Sequence, residues 1–288
     1  MSIPALASAA RAGYSAAWGT LNAPTAYPIF ARLPAAAVTP NWSDVWPGAS
    51  LTTAIPLVTL PTAAFTMGVV SDSANDTNTT GSGAWIVQVQ GVDSNYNPVT
   101  ANVVLNGQSI VTSVSMMRIN SAQVIASASG NTANNAGNIY IVDSSTSVTG
   151  GIPSTTAKVF DVIPVGFNTD GLGVYTVPAG VQAELLHFNS GVTNGTATSY
   201  EGRVRVGVAL WNGGPPPNGS LLPFQYAVVT SPSTVTPNDD FRFDLPPIFP
   251  PGSVIRFQGS STPLGAELAI TAELLLSTYP GITAQGVQ

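Results

Sequence analysis

The sequence has 288 residues, of which eight are Lys or Arg and fourteen Asp or Glu, for a net charge of −6 at pH 7, and it contains no cysteine. Charged residues make up 8% of it, against about 25% in an average soluble domain. With no basic stripe to neutralise phosphates, nucleic acid and anionic membrane surfaces are excluded as partners; without cysteine, so are disulfides, thiolate metal sites and cysteine nucleophiles.

A chain of this length buries about 75% of the surface its unfolded form exposes, enough for one large or two moderate packed domains. Its 24 prolines and 28 glycines recur too often for long helices, and Val, Thr and aromatic residues dominate the runs between them. The expected class is all-β, built as β-sandwiches or a jelly roll.

Residues 1–50 are rich in Ala, Pro and Trp without a steady period and read as an extended N-terminal arm. Their start, MSIPALASAARAGYSAAW, lacks a basic leader followed by an apolar run of about seven to fifteen residues, and reads as mature sequence.

Residues 51–147 read as a first β-sandwich. It includes SDSANDTNTTGSGAW, from Ser71 to Trp85, in which Asp72, Asn75, Asp76 and Asn78 are hard oxygen ligands of the kind calcium takes. An EF-hand would need a ligand where Ala74 stands, and the expected Gly and Glu do not follow. The stretch is therefore expected to be a loop whose Asn and Asp side chains bond their own backbone. Trp85 opens the alternating run WIVQVQ and is expected in the core rather than as a ligand platform. SNYNP follows as a turn, and Asn106-Gly107 predicts a two-residue type I′ hairpin, because both positions favour positive φ.

The Ser144–Lys158 stretch, SSTSVTGGIPSTTAK, has linker composition, and residues 148–288 read as a second, jelly-roll-like sandwich. Pro178-Ala179-Gly180 predicts a turn before VQAELLHF. In VRVGVALW, Val204, Val206, Val208 and Leu210 share one face, and in FRFDL so do Phe241, Phe243 and Leu245. The most apolar run, AELAITAELLLS, carries Glu267 and Glu273 and falls short of the 18 or more apolar residues of a membrane helix.

Chemistry finds little to work with. Triad catalysis needs a histidine in reach of both partners, and the only one is His187, which on a regular strand points away from Glu184. Glu267 and Glu273 share strand parity, but six residues at about 3.3 Å each put them about 20 Å apart, too far for a glycosidase pair. Asp239 and Asp240 are adjacent and diverge. One histidine without cysteine does not make a zinc site, and Gly171-Leu172-Gly173 lacks the third glycine and helix start of a nucleotide loop. Trp42, Trp46, Trp211 and the eight tyrosines are the other aromatics that could stack on sugars, Trp211 standing beside the stiff GGPPPNG loop. The Asn-x-Ser/Thr triplets at Asn41, Asn75, Asn78, Asn194 and Asn218 are expected by chance in a chain so rich in these residues. No catalytic, cofactor or metal residue is assigned, and the expectation is a protein that is not an enzyme.

Several stretches together resemble a group of virion structural proteins of tailed bacteriophages, many of them marine phages or cyanophages. The resemblance rests on the serine, asparagine and aspartate loop at Ser73 to Thr77, then Gly91 to Asp93, Val104 to Gly107, Arg118 to Asn120 and Gly137 to Ile141. It continues through VFDVIPVGFNTDGLGVYTVPAGVQAELLHFNSG and FRFDLPPIFPPGSVIRFQGSS, and so spans residues 64 to 277 in order. It implies a structural role without catalysis, in a capsid decoration or cement protein, or in a tail or fibre component that binds a host glycan or receptor. It also implies partners among other virion proteins, the major capsid protein or tail components, and assembly as a homo-oligomer, often a trimer.

Overall fold

The computed structural model describes residues 25–33, 43–45, 60–194, 199–209, 222–232, 238–262 and 266–278. Within them the regular structure is almost entirely strand, so the all-β expectation is met, and no helix there is long and apolar enough to cross a membrane. In chain order the strands begin with β1 (Thr25–Leu33), β2 (Ser43–Asp44), β3 (Phe65–Ser71), β4 (Ala84–Val92), β5 (Pro98–Val104), β6 (Val111–Met116), β7 (Arg118–Ser127) and β8 (Ile139–Asp143). A small pair, β9 (Val148–Thr149) and β10 (Ile152–Pro153), precedes β11 (Val159–Ile163), β12 (Val174–Thr176), β13 (Val181–Asn194) and β14 (Ser199–Ala209). The series ends with β15 (Leu222–Pro232), β16 (Asn238–Arg242), β17 (Ile248–Phe249), β18 (Val254–Thr262) and β19 (Ala266–Thr278).

The first sandwich sets the sheet β11-β8-β3-β6 against the sheet β5-β4-β7. Met67, Val69, Ile139 and Ile141 of one sheet meet Val87, Val89, Val103 and Ile119 of the other, all buried. In the second sandwich the sheet β1-β19-β13-β16, with β17 beside β13, faces β12-β18-β14-β15, with β2 beside β18. Leu185, Phe188, Leu268 and Leu274 fill its interior from one side and Val204, Val206, Ile255 and Phe257 from the other.

The path of the chain departs from its sequence blocks. Inside the stretch read as an arm, Thr25–Leu33 pairs along β19 and Ser43–Asp44 along β18, so these strands belong to the second sandwich. Pro28 fits there because β1 is an edge strand, where a missing N–H costs no ladder bond. After the stretch read as a linker, β11 returns to the first sandwich beside β8, and the chain crosses over between Ile163 and Val174. The first sandwich is therefore inserted between β2 and β12 of the second.

The runs IYIV of β8 and VFDVI of β11 are buried on both faces, which is why they are continuously apolar instead of alternating. One face looks into the first sandwich. On the other, Val70, Tyr140, Val142, Val159 and Val162 pack against Leu172, Val174, Ala209 and Val254. This shared layer joins the two sandwiches.

Turn chemistry mostly follows the sequence. The SNYNP turn closes the β4–β5 hairpin, with Asp93 Oδ1 accepting from the amides of Asn95 and Asn97 at 2.8 and 2.9 Å. Pro178 starts a turn in which the Val181 amide donates to its carbonyl at 3.3 Å. The Asn106-Gly107 expectation is corrected. Strands β5 and β6 lie in different sheets and do not pair; the turn is closed only by an antiparallel bridge between Asn106 and Ser109, so its two central residues are Gly107 and Gln108. Ser109 N–H donates to the Asn106 carbonyl at 3.2 Å, and φ is positive only at Gly107 (55°), the pattern of a type II′ turn.

Of the predicted faces, Val204, Val206 and Val208 are buried together as expected, while Leu210 lies outside the described residues. Phe243 packs against the core, but Leu245 is 90% exposed, because β16 ends at Arg242 and the chain turns away before it. Trp85 is also corrected. Irregular pairing on either side of Ile86 puts Ala84, Val87 and Val89 inside, leaving Trp85 half-buried, with its indole Nε1 donating to the Gly81 carbonyl at 3.0 Å.

Candidate functional site

The acidic loop after β3 does not simply fold onto itself. Asp76 is fully buried, and its carboxylate takes four donors: the Ser71 hydroxyl at 2.6 Å and the amides of Ala84, Ala136 and Gly137 at 2.8, 2.8 and 2.9 Å. Asp72 accepts from the Asn138 amide and side chain, both at 2.8 Å, and from the Tyr140 hydroxyl at 3.3 Å. Local bonds of the expected kind are present too, from the amides of Ser73 and Asn75 to Ser71 Oγ and Ser73 Oγ. The two carboxylates, however, act mainly as staples onto residues 136–140.

This close approach explains a residue choice. A Cβ at Gly137 would stand 2.2 Å from Asp72 Oδ1 and 2.6 Å from Ser73 Cβ, so only glycine lets the two segments meet. A cation would have to displace protein donors that already satisfy both carboxylates. Among the described residues, no group of three or more His, Asp or Glu side chains is placed to hold a metal ion.

His187 does not stand where regular alternation would put it. A bulge between Leu185 and His187 shifts the parity of β13: Ala183 and Leu185 are buried before it, Phe188 and Ser190 after it. Glu184 and His187 thus fall on the same outer face. The partner of His187 is nevertheless Glu273 on the neighbouring strand, Nδ1 to Oε2 at 3.6 Å, in a half-exposed pair. Arg242, opposite His187 on the other side, binds Asp240 at 2.9 Å. Glu267 and Glu273 are six register positions apart on β19. Gly171 to Gly173 leads into strand β12 and not into a helix. Trp42, Trp46 and Trp211 lie outside the described residues.

A pair absent from the sequence reading is the most unusual polar feature. Asp161, on β11, is fully buried, and its Oδ1 accepts from the Val162 amide at 2.8 Å. Its carboxyl also bonds that of Asp170, which lies on the crossing segment between the sandwiches. Asp170 is half-buried as a residue, but its carboxyl is turned inward; Oδ2 accepts the Ala122 amide at 2.6 Å while its own amide donates to the Ala122 carbonyl at 3.0 Å. Burial, and then the neighbouring Asp170 charge, hold the Asp161 carboxyl well above the usual carboxylate range. Burial pushes Asp170 up to about 6, against the opposing bonds from Asp161 and Ala122. The two carboxyls thus titrate as a pair, both above the ordinary carboxylate range. The signal in the sequence was an aspartate in the middle of the apolar run VFDVI.

Asp170 lines a cleft of about 250 Å³ where β1, β4, β7 and the crossing segment meet. Tyr27 reaches it from β1, tilted against Tyr175 with ring centres 4.6 Å apart and bonded through its hydroxyl to Ser121. Burial, followed by the charges of Asp170 and Asp161, pushes its hydroxyl up to about 12. The other polar side chains of the lining are engaged within the protein: Asn120 with the Thr176 backbone, and Gln90 and Gln123 both with Gln88 Oε1. Such a lining presents little to a ligand.

Fold and geometry together define a two-sandwich antiparallel β-protein with an internal acid pair at its joint. No protein-family profile matches the chain, and no curated protein matches it. Similar solved structures include infectious bursal disease virus of the Gx strain, at 10% identity and a TM-score of 0.24, and of the Gt strain, at 11% and 0.24. The VP2 subviral particle of that virus is another, at 10% and 0.21. Each covers 90% of this chain and 73% of the other. Overlap this loose carries neither fold nor function across to this chain.

Proposed function

We propose that this chain is a non-enzymatic structural protein of a bacteriophage virion, a capsid decoration or cement protein that stabilises the head through protein–protein contacts. The observation that carries this reading is the strand order of the second sandwich. Eight strands taken in chain order are dealt out as β1-β19-β13-β16 and β12-β18-β14-β15. This order supports reading the second sandwich as an eight-stranded jelly roll, an architecture used in viral capsid domains and also in lectins and cupins. Fold alone does not decide among these uses.

The surface supports the structural use. With 8% charged residues, copies can crowd together with little mutual repulsion. On the turn between β16 and β17, Leu245 and Ile248 expose 90% and 57% of their surface beside two prolines, an apolar knob suited to contact with the major capsid protein or another copy. A tail or fibre protein that binds host glycan is the second reading. It is favoured by the bonded row Asn102, Gln88 and Gln123 across β5, β4 and β7, uncharged amides of the kind that hydrogen-bond sugar hydroxyls.

A cryo-electron map of the purified particle tests both. Density for this fold repeated over the head lattice is the expected result. A few copies confined to the tail would favour the second reading, and absence from the particle would overturn both.

A further inference from the structure

We propose that Asp161 and Asp170 form a proton-dependent latch between the two sandwiches, tightest when both carboxyls carry a proton and loosened when a negative charge is created inside the joint. The inference goes beyond the proposed function and does not depend on where the protein assembles.

Its basis is position. Asp161 belongs to the first sandwich through β11, while Asp170 belongs to the segment that carries the chain into the second. Asp170 is tied to β7 by two bonds to Ala122, and Tyr27 of the second sandwich contacts Ser121 next to it. Three parts of the molecule therefore meet at the pair: the first sandwich, the crossing segment and the edge strand of the second.

No basic group among the described residues is placed to neutralise the charge. From β1 the pair faces Tyr27, a phenol that stays neutral. β7 contributes only Asn120, Ser121 and Gln123, β4 only Gln90, and the crossing segment Thr169, all uncharged. Asp161 Oδ2 is buried with no hydrogen-bond donor aimed at it, so nothing in the protein stabilises a negative charge there. A buried carboxyl pair of this kind ionises one member at a time.

The sign follows from the two states. In the unfolded chain both carboxyls titrate near the ordinary value of 3.8, whereas folding raises Asp170 to about 6 and holds Asp161 well above its ordinary value. The folded state then holds more protons. The stability the pair contributes is full below about pH 4 and is lost as pH rises through about 6, and Asp170 alone changes the folding constant by about 10²-fold.

The test is to titrate the wild-type carboxyls by carbon-13 NMR and to follow hydrogen exchange in residues 118–124 and 164–177, corrected for intrinsic rate, from pH 4.5 to 8. One aspartate titrating near 6 is expected, with protection at the joint falling about tenfold or more over that range. Asp170→Asn, which mimics the protonated acid, should keep the protection nearly constant. Asp161→Asn, a permanent donor to Asp170, should move the remaining titration toward the ordinary value, so the proposal stays testable if the first variant fails to fold. It is overturned if no aspartate titrates above pH 5, or if a folded Asp170→Asn loses protection in step with the wild type.

Discussion

Asn120 on β7 grips the backbone of Thr176 on β12 with both ends of its amide: Nδ2 donates to the Thr176 carbonyl at 2.9 Å, and Oδ1 accepts the Thr176 amide at 2.8 Å. The two residues are 56 positions apart and sit in different sandwiches, and both are buried. Thr176 therefore depends on a side chain from the other sandwich for bonds that water cannot supply. Replacing Asn120 by Ala strands a buried donor and a buried acceptor, at a cost of about 2 to 4 kcal/mol. Thermal unfolding should show a midpoint lowered by about 5 to 15 °C, and Asn120→Asp, which sets a buried carboxylate against the Thr176 carbonyl, should lower it at least as much at neutral pH.

Asp76 gives a second, sharper test. Asp76→Ala would leave three backbone amides and the Ser71 hydroxyl without their acceptor in a buried setting, so a loss of about 3 to 5 kcal/mol is expected in denaturant unfolding. Chelators should leave the wild-type midpoint unchanged, since the carboxylate is satisfied by protein donors. A midpoint that falls with chelator and recovers with calcium would show that the loop is an ion site.

Why the acidic loop was legible only in part is a matter of range. The run SDSAND announces a loop through residues that bond locally, and Ser71 and Ser73 do so. Apart from Ser71 and Ala84, the partners of its two carboxylates lie 60 to 68 positions away, and no local pattern marks them except the glycine at 137. Alternation was readable wherever a strand stays regular, as at Val204, Val206 and Val208. It failed at Trp85 and His187, because a single irregular residue reverses the face of everything beyond it. The joint was the least visible part. The aspartate inside VFDVI was a local signal, but neither its pairing with Asp170 nor the return of β1 to the second sandwich follows from any window of sequence, since each depends on which distant segment lies beside it.

Gly107 keeps its importance although the turn type changed. At φ 55° a β-branched side chain is strained, and a Cβ there would also stand 3.2 Å from the Ala74 backbone. Gly107→Val should lower stability by about 1 to 3 kcal/mol. Because Gly107 N–H donates to the Asp76 carbonyl at 2.9 Å and its carbonyl accepts the Ser71 amide at 3.1 Å, the loss should couple to the acidic loop. A double-mutant cycle with Asp76→Ala is expected to be non-additive, and additive losses would mean that the turn and the loop are independent.

Leu245 and Ile248 separate folding from assembly. Both side chains project from the β16–β17 turn, outside the core that Phe243 and Phe249 help to build. Replacing the pair by Ser removes exposed apolar surface without opening a cavity, so the isolated protein should unfold within about 0.5 kcal/mol of the wild type. If the knob is a contact between copies or with the capsid, the same variant should show weaker self-association by analytical ultracentrifugation and reduced retention on particles. Unchanged association and retention would mean that contacts are made elsewhere, and the broad uncharged face of β5, β4 and β7 would be the next surface to alter.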